Sequence, residues 1–210
     1  MVEPVAAGAE LKRRPQQARS RARVQAILDA ADGIIAAGGF EALTIRAITE
    51  RAGVPVGSIY QFFPDKSAIV DALGRHYLEG FDGAIAVLVE RSEQGPMDDL
   101  VGTVVDAFAD MYRENPGYVA LWTGRHLSPE LAQEDRLNNA TIMVGVRRIL
   151  RAQLGLRDGI ELERAGRIAV WVADSVLQHV FRENAEPEHL EDLKRMLRLY
   201  LDDLVARISR

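Results

Sequence analysis

Between Leu43 and Lys66 the chain reads LTIRAITERAGVPVGSIYQFFPDK, a set of side chains better suited to holding a nucleic acid than to breaking bonds. Gly53 separates two short apolar-periodic stretches. The segment therefore predicts two short helices joined by a glycine turn, a helix-turn-helix whose second helix fits a major groove about 12 Å wide. A helix laid in a groove needs an apolar back and a small or polar front. Ile59 and Phe63 supply the back, while Pro55, Val56, Gly57, Ser58, Tyr60 and Gln61 supply a front with no acid. Catalytic patterns find no counterpart: HExxH, GxSxG, the phosphate-binding P-loop and GxGxxG do not occur. The histidines at 76, 126, 179 and 189 are scattered, and the absence of cysteine removes thiolate ligands. We expect a non-enzyme that needs no cofactor or metal.

Charge sharpens the reading. The net charge is -5, which alone argues against a nucleic-acid binder, but its distribution is uneven. Residues 11–23, LKRRPQQARSRAR, carry Lys12, Arg13, Arg14, Arg19, Arg21 and Arg23 and no acid. An acidic body repels DNA, so any DNA is expected at the N-terminal end. The opening MVEPVAAGAELKRR places its basic residues after the small apolar ones, the reverse of a signal peptide. No run approaches the roughly 20 apolar residues that span a bilayer. Together these features predict a cytoplasmic protein without a membrane partner.

The elements that must hold this segment are helical throughout, so the expected fold class is all-α. Residues 1–18 lack periodicity and are expected to be a disordered basic arm. A first helix is expected over 20–37, with Val24, Ile27, Leu28, Ala31, Ile34 and Ile35 on one face and Gly38-Gly39 at its end. Thr44 is a plausible N-cap for the second helix. A fourth helix follows Pro64-Asp65, and Gly74, Gly80 and Gly83 suggest a kink or hinge within it. Further helices are expected over 97–114, 116–126, 128–154, 162–184 and 188–208. The domain reading is an arm over 1–18, a three-helix DNA-binding unit over 19–64 and a larger helical unit over 65–210.

The segment resembles the TetR family signature: Thr44, Arg46, the turn Ala52-Gly53, Val54, Gly57, Tyr60, Phe62-Phe63 and Lys66 stand where that pattern has them. The resemblance implies a dimeric regulator that binds a palindromic operator in double-stranded DNA and is released by a small-molecule effector. Residue chemistry then suggests roles. Arg46 can donate two hydrogen bonds to guanine O6 and N7. Thr44 and Tyr60 offer hydroxyls to phosphates, and Lys66 offers a cation. Pro55, Val56, Gly57, Ser58 and Gln61 meet base edges. Two departures stand out. Phe62 occupies a position where the family often has a phosphate-binding His or Tyr. Thr49 replaces a small alanine, and its hydroxyl is free to bond back to the preceding turn.

The chain beyond residue 65 is similar to the family's variable regulatory domain, which implies a pocket for the effector. Bulky apolar residues with isolated polar neighbours are the candidates for its lining: Phe108, Met111, Tyr112, Tyr118, Trp122, Met143, Trp171, Asp174 and Gln178. Asp174 lies in a stretch apolar nearly all round and needs a partner, for which Arg147, Arg148 or an effector amine are the choices. The polar run Trp122-Thr123-Gly124-Arg125-His126 reads as a surface turn. A stripe of Leu190, Leu193, Leu197, Tyr200, Leu201, Leu204 and Ile208 suggests the homodimer interface, a four-helix bundle across a two-fold axis. The alternatives are a regulator without an effector, an activator, or a helical enzyme or adaptor.

Overall fold

The structure is a computed structural model and describes residues 10–124, 127–183 and 188–208, with side chains from residue 18 onward. The described residues form helices α1 (Glu10–Ala42), α2 (Ile45–Ala52), α3 (Val56–Phe62), α4 (Lys66–Gln94), α5 (Leu100–Glu114), α6 (Gly117–Thr123), α7 (Pro129–Leu154), α8 (Ile160–Glu183) and α9 (Glu188–Ile208), and no strand. The all-α fold expected from the sequence is the observed one. Of the expected arm, residues 1–9 lie outside the described residues, as do the side chains of Lys12, Arg13 and Arg14. From Glu10 the described backbone is helical and continuous with α1. Leu11, Lys12, Arg13, Arg14, Gln16 and Gln17 are types that lose little side-chain freedom in a helix.

Local chemistry sets most boundaries. Gly39, at φ 72°, interrupts α1 in the left-handed region, and the turn closes when Leu43 N–H donates to the Phe40 carbonyl at 3.1 Å. Thr44 caps α2 by accepting from Ala47 N–H at 3.1 Å, and Gly53 ends it at φ 64°. Asp65 caps α4 and Ser128 caps α7, each through its side-chain oxygen. Thr49 Oγ1 bonds back to the Ile45 carbonyl at 2.8 Å, as its position in the helix suggests.

One apolar core runs from the N-terminal helices into the body. Ile27, Ile35, Leu43, Ile48 and Ile59 are fully buried, and α4 continues the same core through Leu73, Tyr77 and Phe81. A second cluster joins α5, α7, α8 and α9 around Val105, Leu162, Leu193 and Leu204. Helix α4 is continuous over its 29 residues, with no break at the glycines where a kink or hinge was expected. Two of its three glycines serve packing instead. A Cβ on Gly74 would stand 2.3 Å from Leu131 Cδ2, and one on Gly80 would stand 2.5 Å from Met111 Cε. On the facing helix, a Cβ on Gly145 would stand 2.3 Å from Ile85 Cγ1. Helices α4 and α7 thus interlock at two places.

Candidate nucleic-acid interface and body cavity

Burial of Ile48, Ile59 and Phe63 packs α2 on α1 and α3 on α2, and turns the opposite side of α3 to solvent. Pro55, Val56, Gly57, Tyr60 and Gln61 are exposed, and Ser58 is half-buried. Val56 and Tyr60 are large side chains that keep 44% and 53% of their surface exposed. This is the front and back division read from the sequence. Thr44 is exposed; its oxygen accepts from Ala47, which leaves the hydroxyl proton available to another acceptor. Phe62 is half-buried against the core.

The two cations of the segment are held differently. Arg46 Nε–H donates to Glu50 Oε1 at 2.8 Å on an open surface, so the two terminal nitrogens of its guanidinium still point to solvent-side partners. The sequence reading did not foresee this carboxylate beside Arg46. Lys66 is half-buried, with Nζ 4.2 Å from the centre of the Phe40 ring, a cation–π contact that fixes the start of α4 against the turn after Gly39.

Within the body, α4 to α9 surround a cavity of about 100 Å³. Of the expected lining residues, Phe108, Tyr112, Tyr118 and Asp174 contribute to its wall. The other five do not line it. Trp171 is corrected to the outer surface, at 57% exposure. Met111 fills the notch at Gly80. Met143 is half-buried but away from the cavity wall. Trp122 and Gln178 stand one layer behind, each bonding a lining carboxylate. Trp122 Nε1–H donates to Asp135 and Gln178 Nε2–H to Asp174, both at 2.9 Å.

The partner of Asp174 is also corrected. Tyr112 O–H donates to it at 2.9 Å, whereas Arg147 pairs with Asp158 and Arg148 with Glu93. Burial pushes the Tyr112 hydroxyl well above the ordinary tyrosine range, with the negative charge of Asp174 adding to it, so it is a fixed donor. Burial likewise raises the Asp135 carboxyl above the usual carboxylate range, and the nearby charge of Asp174 pushes the same way against the Trp122 bond. The sequence reading missed Asp135 and Asn138. Their signal was present, since both fall on the apolar stripe Leu131, Asn138, Ile142, Gly145 and Ile149 of α7.

A further polar node joins the cavity wall to the N-terminal helices. Asp32 of α1 accepts from the Tyr77 hydroxyl at 2.5 Å and from Gly117 N–H, at the start of α6, at 2.9 Å. The Tyr77 ring stands edge-on to Tyr118, centroids 5.6 Å apart, and Tyr118 stacks on Trp122 at 4.5 Å. The rings therefore form a continuous layer from the cavity to α1.

The stripe expected to form the dimer interface is corrected in its partner. Leu190, Leu193, Leu197, Leu201 and Leu204 are buried within this chain, and Tyr200 and Ile208 are half-buried against the same cluster. Periodicity identifies a buried face without saying what buries it. The large apolar residues these helices leave outside are Ile160 and Trp171 of α8 with Met196 and Leu199 of α9, at 83%, 57%, 47% and 63% exposure. No described helix is long and apolar enough to cross a membrane.

The geometry agrees with comparisons to known proteins. Residues 27–73 match the model of bacterial regulatory proteins of the tetR family, and residues 95–205 match the tetracyclin repressor-like C-terminal domain. The HTH-type transcriptional repressor KstR of Mycolicibacterium smegmatis is 48% identical over 58 residues, 27% of this chain and 28% of that protein. The chain thus aligns with little more than a quarter of that relative's length. A TetR-family transcriptional regulator from Streptomyces coelicolor superimposes with a TM-score of 0.57 at 28% identity, covering 87% of this chain and 99% of that one. A putative TetR-family regulator from Mesorhizobium loti gives 0.69 at 12% identity over 90% and 97%, a likeness of fold alone. The C-terminal match by itself takes in more than half of the sequence, and the chain belongs to the TetR family of bacterial regulatory proteins.

Proposed function

We propose that this chain is a DNA-binding transcriptional repressor that works in the cytoplasm as a homodimer and leaves a palindromic operator when a small molecule enters its cavity. The observation that carries the reading is the outward display of Pro55 to Gln61 on a helix whose back is locked by Ile59 and Phe63. Residues 19–64 act as the reading head and 65–210 as the sensor and dimer unit. Arg46 reads a guanine, Val56 and Pro55 meet thymine methyls, and Thr44, Tyr60 and Lys66 hold phosphates. The exposed Trp171, Met196 and Leu199 support pairing of α8 and α9 with a second copy across a two-fold axis.

The ring layer supplies a route for release. An occupant that displaces Tyr118 disturbs α6, and Asp32 ties α6 to α1 of the reading head. The occupant must bind the released state more tightly than the DNA-bound one for this to shift the balance. Selection of DNA from a random pool by the purified full chain tests the reading. The expected product is a palindrome whose half-sites lie about 34–36 Å apart or a multiple of that. Enrichment of no sequence overturns it.

A further inference from the structure

We infer that the cavity takes an organic monocation carrying an elongated aliphatic body, an amine or ammonium amphiphile. This deepens the proposed function and rests on the cavity being the effector site.

Three observations point to the class. First, the wall is part polar and part apolar. Among the lining residues Tyr112 bonds Asp174, and Asp135 and Asn138 lie one turn apart on α7, while Val101, Leu150, Leu197 and Leu201 belong to one apolar cluster. On α7 the lining runs from Asp135 to Leu150, about 22 Å at 1.5 Å per residue. Second, the polar end carries two carboxylates, and the lining contains no Lys, Arg or His. Among the described residues, the hydrogen-bond donors to these carboxylates are neutral groups: Trp122, Tyr112 and Gln178. Third, Asn138 is 94% buried (6% exposed), and its Nδ2 donates to the Leu78 carbonyl at 3.0 Å. That bond fixes the amide orientation, since a carbonyl cannot donate. With Nδ2 committed to Leu78, the oxygen Oδ1 is the polar atom that Asn138 has left to offer as an acceptor in the lining. The polar end thus carries two carboxylates whose described hydrogen-bond donors are all neutral, with no cation in the lining to balance them. The rings of Phe81, Tyr112 and Tyr118 beside it add faces that attract a cation. An anionic head would meet two carboxylates and a carbonyl oxygen, and a neutral one would leave the charge uncompensated.

The test uses the purified full chain and three probes below their micellar range: n-decylammonium, n-decanol and n-decanoate. Calorimetry without DNA reads the ligand class alone. The expected result is binding of decylammonium, at least tenfold weaker binding of decanol and none of decanoate. Asp174→Asn and Asp135→Asn, isosteric and checked by thermal unfolding, should each weaken decylammonium binding about tenfold or more while leaving decanol unchanged. Decanoate binding as tightly as decylammonium, no binding of decylammonium at 1 mM, or equal affinity in both variants overturns the proposal. Retardation of the selected operator is read separately. Loss of cation binding with DNA binding intact sinks the ligand class only. Cation binding without operator release sinks the effector reading.

Discussion

Gly117→Ala probes the contact between the sensor body and the reading head at one atom. The added Cβ would stand 2.7 Å from Asp32 Oδ1, 2.8 Å from the Asp32 carbonyl oxygen and 2.9 Å from the Tyr77 hydroxyl. One of these is backbone, so rotating a side chain does not clear the space. Overpacking of this kind costs about 1–3 kcal/mol, and an amide hydrogen bond to a carboxylate is worth roughly 1.5–3 kcal/mol. Since the Gly117 bond is weakened but Tyr77 can partly follow, the expected loss is about 2–4 kcal/mol. For a chain of this size that lowers Tm by about 4–16 °C. Gly83→Ala is the control, because nothing lies within 4 Å of its Cβ position; it should stabilise by about 0.5–1 kcal/mol through helix propensity. Urea unfolding followed by circular dichroism measures both. Tyr77→Phe in each background completes a cycle, with an expected coupling of about 0.5–3 kcal/mol. A Gly117→Ala protein as stable as the parent, or strictly additive with Tyr77→Phe, would refute the node as the tie between α1 and α6.

Other outcomes are open to direct measurement. Arg46→Ala should weaken operator binding about tenfold to a hundredfold in a gel-shift assay, with the dimer intact by ultracentrifugation. Leu199→Asp should give a folded monomer, because the side chain is exposed on one chain, whereas Leu193→Asp should abolish folding by placing a charge in the core. Asp99 is held below the usual carboxylate range by the hydrogen bond from Arg198 and then by Gly102 N–H. A depressed folded pKa gives stability that is present above the unfolded value and lost as pH falls through the folded one. Asp99→Asn should therefore flatten the acid limb of a stability profile below about pH 4 and leave its neutral part nearly level, apart from the lost Arg198 pair.

Features set by neighbouring residues were legible in the sequence. Thr44, Gly53 and Ser128 announced helix ends because capping and left-handed turns are decided within four residues. The faces of α3 followed from spacing alone. What depended on distant pairing was not legible. Asp32 meets Tyr77 and Gly117 across 45 and 85 positions, and Asp174 meets Tyr112 across 62. The α9 stripe was read with the right period and the wrong partner, because five leucines chosen by spacing do not say whether their own chain or another covers them. The α4 glycines were misread for the same reason: the side chains that need the space, Leu131 and Met111, lie on α7 and α5.

The two interlocks of α4 with α7 bear on how the head can move. Close packing at Gly74 and again at Ile85 ties this stretch of α4 to α7, which makes the two turns from Lys66 to Leu73 the part of the helix freest of that contact. Those turns pack on α1, whose second attachment to the body is the Asp32 latch on α6. A shift of the N-terminal helices relative to the body therefore has to rearrange the whole α1–α6 contact, the Asp32 bonds included, and not the start of α4 alone.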